Sequence, residues 1–143
     1  MTLAEKKDKI VEELSLFPDA HERLAYVIEH AKKMPPLSSD YKIEEFRIEG
    51  CQSNLWVVPT YEGGKCFFKT DSDAVITKGI AGILTEFYSD YSPGEILQNE
   101  PDFLAEVGIT QHLTPNRRNG LTNVWANIRG FAELCRDRDP ASA

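Results

Sequence analysis

Residues 55–70 read LWVVPTYEGGKCFFKT. Two runs rich in β-branched and aromatic residues flank Glu62-Gly63-Gly64, and glycine admits the positive φ that a tight turn needs. The pattern predicts a hairpin with strands over 55–61 and 65–70. In the second strand Cys66 and Phe68 are two apart, so they share a face opposite to Phe67. Pro59 has no amide hydrogen to give to a ladder, which puts its strand at a sheet edge or ends it there. Upstream, Phe46 and Ile48 are also two apart. Their spacing predicts a further strand over 44–49, and therefore an antiparallel meander of three short strands.

On both sides of this stretch the apolar period is helical. Leu3, Ile10, Val11 and Leu14 mark a first helix. Asp19 followed by Glu22 opens a second, with Leu24, Val27, Ile28 and Ala31 on its apolar face and Lys32 and Lys33 in its last turn. Pro35 and Pro36 stop it. Downstream, Asp71 or Ser72 caps a long helix carrying Ile76, Ile80, Ile83, Leu84 and Phe87, and the acids Asp71 and Asp73 suit its positive end. Gly79, Ala81 and Gly82 interrupt that helix. Each glycine costs roughly 1 kcal/mol against alanine, so a closely packed neighbour is expected to compensate. Ser92-Pro93-Gly94-Glu95 is another helix start, and a short helix near 101–107 ends at Gly108. Thr114-Pro115 opens the last helix, whose stripe is Leu121, Val124, Trp125, Ile128, Phe131, Ala132 and Cys135. Helices, then strands, then helices predict an α+β fold rather than alternating α/β.

The chain has 143 residues, a length that suits one domain over 1–143. With 23 Asp+Glu against 16 Lys+Arg the formal net charge is -7. That balance argues against nucleic acid as a partner, because nucleic-acid binders neutralise phosphates with a basic face. No apolar run approaches the roughly 18 residues of a membrane span, and MTLAEKKDKI lacks the apolar core of a secretory signal. A reducing cytoplasm is the expected setting. Three cysteines, with no C-x-x-C, suit neither a disulfide framework nor a zinc ribbon. No metal and no cofactor are expected.

Cys51 stands in RIEGCQSNLW, after a glycine and between two strand-like runs. Two readings are open for it: a small apolar residue at a strand end, or a reactive thiol at a loop tip. Cys66 and Cys135 read as packing residues, from their places on an apolar strand face and an apolar helix stripe. His112, just before a helix start, pairs with Cys51 in a Cys-His hydrolase reading, but no third partner is apparent in the sequence. It is otherwise a capping or surface histidine. His21 and His30 are nine apart and share no ligand face. Arg117 and Arg118 fall in the first turn of the last helix, where the helix dipole disfavours a cation. They either hold an anion or a partner's carboxylate, or are solvated.

Three segments in register carry a more specific signal: GCQSNLWVV at 50–58, DSDAVITKG at 71–79 and TQHLTPNRRNGL at 110–121. Together with the two leading helices and the length, they resemble the SufE/CsdE family of sulfur acceptor proteins over about residues 5–135. The resemblance implies a SufE/IscU-like α+β fold, with a short three-stranded antiparallel sheet and helices packed on one side. It implies a persulfide carrier that depends on a partner, rather than a stand-alone enzyme. Such a protein takes sulfane sulfur from a PLP-dependent cysteine desulfurase of the SufS or CsdA type and delivers it to an iron–sulfur scaffold of the SufBCD type. The acceptor falls on Cys51, a supporting arginine on Arg117 and a supporting acid on Asp73. A monomer or weak homodimer is expected. Two features depart from the family pattern: the extra cysteines Cys66 and Cys135, and Arg118 directly after Arg117, which leaves the arginine assignment open by one position. A module of the same fold that regulates a desulfurase without carrying sulfur is the alternative.

Overall fold

Helix starts follow the local chemistry. Thr2 Oγ1 accepts from the Glu5 amide while Glu5 accepts from the Thr2 amide, a reciprocal cap that opens α1 (Leu3–Ser15). Asp19 accepts from the Glu22 amide at 2.9 Å and opens α2 (Ala20–Lys32). The computed structural model describes residues 1–50 and 53–139. After α2 come single 3-10 turns at Ser39–Tyr41 and Glu44–Phe46, then β1 (Leu55–Glu62), β2 (Lys65–Ser72), α3 (Val75–Tyr88), α4 (Pro93–Leu97), α5 (Phe103–Glu106) and α6 (Pro115–Arg138).

The hairpin forms as the sequence predicts, in the register Leu55 to Ser72 through Glu62 to Lys65. Pro59 sits opposite Phe68, whose amide turns away from β1 and donates to Ser89 Oγ at 2.9 Å. The missing proline donor therefore costs no ladder bond. Leu55, Val57, Cys66, Phe68 and Thr70 are buried on the face that α3 and α6 cover.

The third strand does not form. The described residues hold a two-stranded sheet, and the predicted strand at 44–49 contributes one bridge, Arg47 to Trp56, with the Ile48 amide on the Leu55 carbonyl at 2.8 Å. The reason is local. The amides of Phe46 and Arg47 bond back to Ile43 and Glu44, so the chain winds as a 3-10 turn until residue 47. Ile48 is buried, but Phe46 leans on Tyr41, with ring centroids 6.3 Å apart. The spacing of two reports one inward residue, not a strand.

The start of α3 also differs from expectation. Because Ser72 pairs with Leu55, β2 runs two residues longer than predicted, and the helix begins at Val75 behind Ala74 with no side-chain cap. Neither Asp71 nor Asp73 lies in its first turn. The two glycines do have their close neighbours. A β-carbon at Gly79 would lie 3.3 Å from Ile28 Cα on α2, and one at Gly82 would lie 2.8 Å from Met34 Sδ. At the other end of α3, Lys6 Nζ donates to the Glu86 and Phe87 carbonyls at 2.7 and 3.0 Å, filling acceptors that a helix end leaves open.

Asp71 instead holds the irregular segment after α2 in place. Its carboxylate is buried, accepts from the Leu37 and Ser72 amides, and lies 3.2 Å from Lys42 Nζ and 3.4 Å from Lys78 Nζ. Burial alone would push this carboxyl up, but the hydrogen bonds and the two ammonium groups outweigh it and hold it below its ordinary value. A carboxyl depressed on folding stabilises the fold above its unfolded pKa, near 3.8. That stability is lost as pH falls through the lower folded value. Asp71→Asn strands two lysines and is expected to cost about 2–4 kcal/mol at neutral pH. Urea midpoints of the two proteins should converge as the pH falls through the lowered folded value of Asp71.

Cys66 and Cys135 are packing residues, as their periodicity predicts. Along α6 the residues 131, 135 and 139 face the hairpin in turn. Phe131 meets Phe68 edge-on at 5.9 Å, Cys135 lies beside Cys66, and Asp139 accepts from the Tyr61 hydroxyl at 2.6 Å. Burial, with the neighbouring Cys135, pushes the Cys66 thiol up to about 12, and burial raises Cys135 as well. Such thiols stay protonated and inert at neutral pH.

Candidate functional site

The three sequence segments that stand out converge at one end of the hairpin. Gly50 has φ of +83°, a left-handed value that glycine adopts without strain. Cys51, the predicted acceptor, lies outside the described residues, as does Gln52. The chain resumes at Ser53 and enters β1 at Leu55.

Asn54 is strongly held. Its amide and its side-chain Nδ2 donate to the two carboxylate oxygens of Asp73 at 3.1 and 2.9 Å. In return its carbonyl accepts from the Asp73 amide at 3.2 Å and from Ser72 Oγ at 2.6 Å. Arg47 Nε adds a bond to Asn54 Oδ1 at 3.3 Å. Asp73, predicted as a supporting acid, therefore works on the backbone that leaves the Cys51 segment.

Ser53 and Leu55 form one wall of a small cleft of about 60 Å³. Thr77, Ile80 and Ala81 of α3 form another, and Thr114, Asn116, Arg117, Gly120, Leu121 and Val124 close it from α6. Thr114 Oγ1 accepts from the Arg117 amide at 3.3 Å, which caps α6 and leaves the Arg117 side chain at the cleft. Its Nε is buried and, among the described residues, has no hydrogen-bond partner. A buried donor without a partner costs about 1–3 kcal/mol, so its presence asks for an acceptor. Arg118 is different: its guanidinium donates to the Leu113 carbonyl at 2.9 Å. Of the two arginines that the sequence leaves open, Arg117 is the one at the cleft.

His112 is exposed, and its ring packs beside that of His21, with centroids 6.5 Å apart. It does not line the cleft. Asn123 is a residue the sequence does not flag, since it lies with Thr122 off the apolar stripe, between Leu121 and Val124. Its Nδ2 donates to the Glu49 carbonyl at 2.8 Å. Asn54 is visible in the sequence only as a member of the GCQSNLW segment.

Residues 8–132 match the family described as SufE, Fe-S metabolism associated domain. The chain belongs to the SufE family. It is 32% identical over 124 residues to an uncharacterised SufE-like protein of Synechocystis sp., covering 87% of this chain and 78% of that one. It is 36% identical over 126 residues to the SufE-like protein 1, chloroplastic/mitochondrial, of Arabidopsis thaliana. That alignment covers 85% of this chain and spans 34% of the plant protein. The solution structure of a hypothetical protein from Thermus thermophilus superposes with a TM-score of 0.75 at 26% identity, over 92% of this chain and 96% of that one. Family membership associates the chain with iron–sulfur metabolism. Within the SufE frame, the cleft, Arg117 and the braced Asn54 lie at Ser53, and Asn123 lies at Gly50. No helix of the described residues is long and apolar enough to cross a membrane.

Proposed function

We propose that this SufE-family chain accepts sulfane sulfur from a PLP-dependent cysteine desulfurase, holds it as a Cys51 persulfide and passes it to an iron–sulfur assembly scaffold in a reducing cytoplasm. The observation that carries the reading is the buried Arg117 Nε, which has no hydrogen-bond partner among the described residues, in a cleft whose other wall begins at Ser53, two residues after Cys51. A thiolate or a persulfide anion is the acceptor that such a donor lacks.

The transfer is balanced without an external oxidant. The Cys51 thiolate attacks the outer sulfur of the donor's cysteine persulfide. The donor's S–S bond breaks, its own cysteine leaves as a thiolate, and the sulfane sulfur ends on Cys51. The attacking thiol must be ionised. A free thiol has a pKa of about 8.5, and a nearby cation lowers it. Arg117 supplies that charge, while Asp73 holds the outgoing backbone at Asn54. Cys66 and Cys135 take no part, being buried and protonated.

The direct test is kinetic. Added to a desulfurase of this class with excess free cysteine, the chain should accelerate alanine formation by removing sulfur from the enzyme's persulfide. An unchanged rate over a wide excess of the chain would contradict the proposal.

A further inference from the structure

The backbone on the two sides of Cys51 is held very differently. Beyond it, Asn54 is tied to Asp73, Ser72 and Arg47 through both backbone and side chain. Before it, the Ile48 amide is fixed on the Leu55 carbonyl. The next carbonyl along, that of Glu49, takes its hydrogen bond among the described residues from the Asn123 side chain, 74 positions away on α6. The same amide group also occupies the space beside Gly50, and a β-carbon there would run into Asn123 Nδ2. A single α6 side chain thus holds the carbonyl before Gly50 and fills the space where a side chain at residue 50 would stand. Arg117 stands on the same helix, six residues earlier.

We propose that Asn123 is a positioning residue for Cys51. By holding the Glu49 carbonyl and filling the space beside Gly50, it sets the course on which the chain leaves residue 50, and references that course to the helix that carries Arg117. This inference rests on the reading of Cys51 as a thiol activated by Arg117. It also gives Gly50 a reason beyond its positive φ, since any larger residue would displace the Asn123 amide. Among the described residues Asn123 reaches the backbone at 49 and 50, and it acts through that backbone.

The test is the pH dependence of Cys51 alkylation by iodoacetamide in the full chain. Peptide mass analysis separates it from Cys66 and Cys135, which burial protects. Asn123→Leu keeps the bulk and loses the donor, and Asn123→Ala loses both. Asn127→Ala, at an exposed position one turn further on, is the control. Both Asn123 variants should raise the midpoint of the alkylation profile by about one pH unit, toward the free-thiol value near 8.5. The control should leave it unchanged, and the urea midpoint of Asn123→Ala should stay close to that of the parent. Rates of sulfur loading should fall in the same order as the midpoints rise. An unmoved midpoint in both Asn123 variants, or an equal movement in Asn127→Ala, would overturn the assignment. Arg117→Met separates the two levels. If it shifts the midpoint and the Asn123 variants do not, the positioning role fails while the activated thiol stands. If none of them shifts it, the activated-thiol reading fails as well.

Discussion

Cys51→Ser is expected to stop sulfur loading, with a fall of more than about a thousandfold, as when a nucleophile is removed elsewhere. A serine hydroxyl is un-ionised at neutral pH and does not displace a thiolate from a persulfide. The variant should fold normally, because the neighbouring anchors, Asn54 on Asp73 and Glu49 on Asn123, do not involve the thiol. It should also still bind the desulfurase, which separates transfer from docking. Loading is read by mass after incubation with desulfurase and cysteine, and binding by co-sedimentation. A variant that still accelerates alanine formation without carrying sulfur would favour a regulatory module over a carrier.

Arg117→Met should separate activity from stability. A cation close to a thiol lowers its pKa by about 1–3 units. Losing it reduces the thiolate fraction tenfold per unit at a pH below the thiol's pKa. The remaining thiolate becomes more nucleophilic, however, with a Brønsted coefficient of about 0.4–0.5. At pH 7 a thiol held that low is already largely ionised, so the net slowing of loading is only about 1- to 4-fold, and the clearer readout is the alkylation midpoint, which moves upward by about 1–3 units. The fold should not suffer. Among the described residues the buried Arg117 Nε has no hydrogen-bond partner, and removing it relieves a desolvation cost of about 1–3 kcal/mol. Equal or greater resistance to urea, together with slower loading, is the expected pair of results. The same variant at Arg118 should show the reverse balance, since that guanidinium already serves the Leu113 carbonyl at the start of α6.

Much of this architecture was legible in the sequence wherever the cause is local. The caps at Asp19, Ser92 and Thr114 each involve a side chain and an amide three residues on, so a single window of sequence contains both partners. The stripe on α6 and the alternation of Cys66 and Phe68 follow from fixed periods. Other features depend on distant partners. Residues 44–46 wind as a 3-10 turn because the amides of Phe46 and Arg47 find acceptors three residues back, and nothing in the spacing of Phe46 and Ile48 reveals it. The sequence offers Asp71 or Ser72 as a helix cap. The actual partners of Asp71 are Leu37, Lys42 and Lys78, which only the folded chain brings together. Within the site, Asp73 and Arg117 fall in the motif segments, whereas the contact of Asn123 with Glu49 has no sequence signal, because it joins a residue off the apolar stripe to a carbonyl 74 positions away.

The most direct measurement locates the sulfur. The chain is incubated with a PLP-dependent cysteine desulfurase and cysteine, alkylated under denaturing conditions without reductant, digested, and analysed by mass. One extra sulfur atom should appear on the peptide bearing Cys51, with Cys66 and Cys135 recovered as plain alkylated thiols. Sulfur on either of those two residues instead, or an unmodified Cys51 after many turnovers of the desulfurase, would contradict the assignment of Cys51 as the carrier.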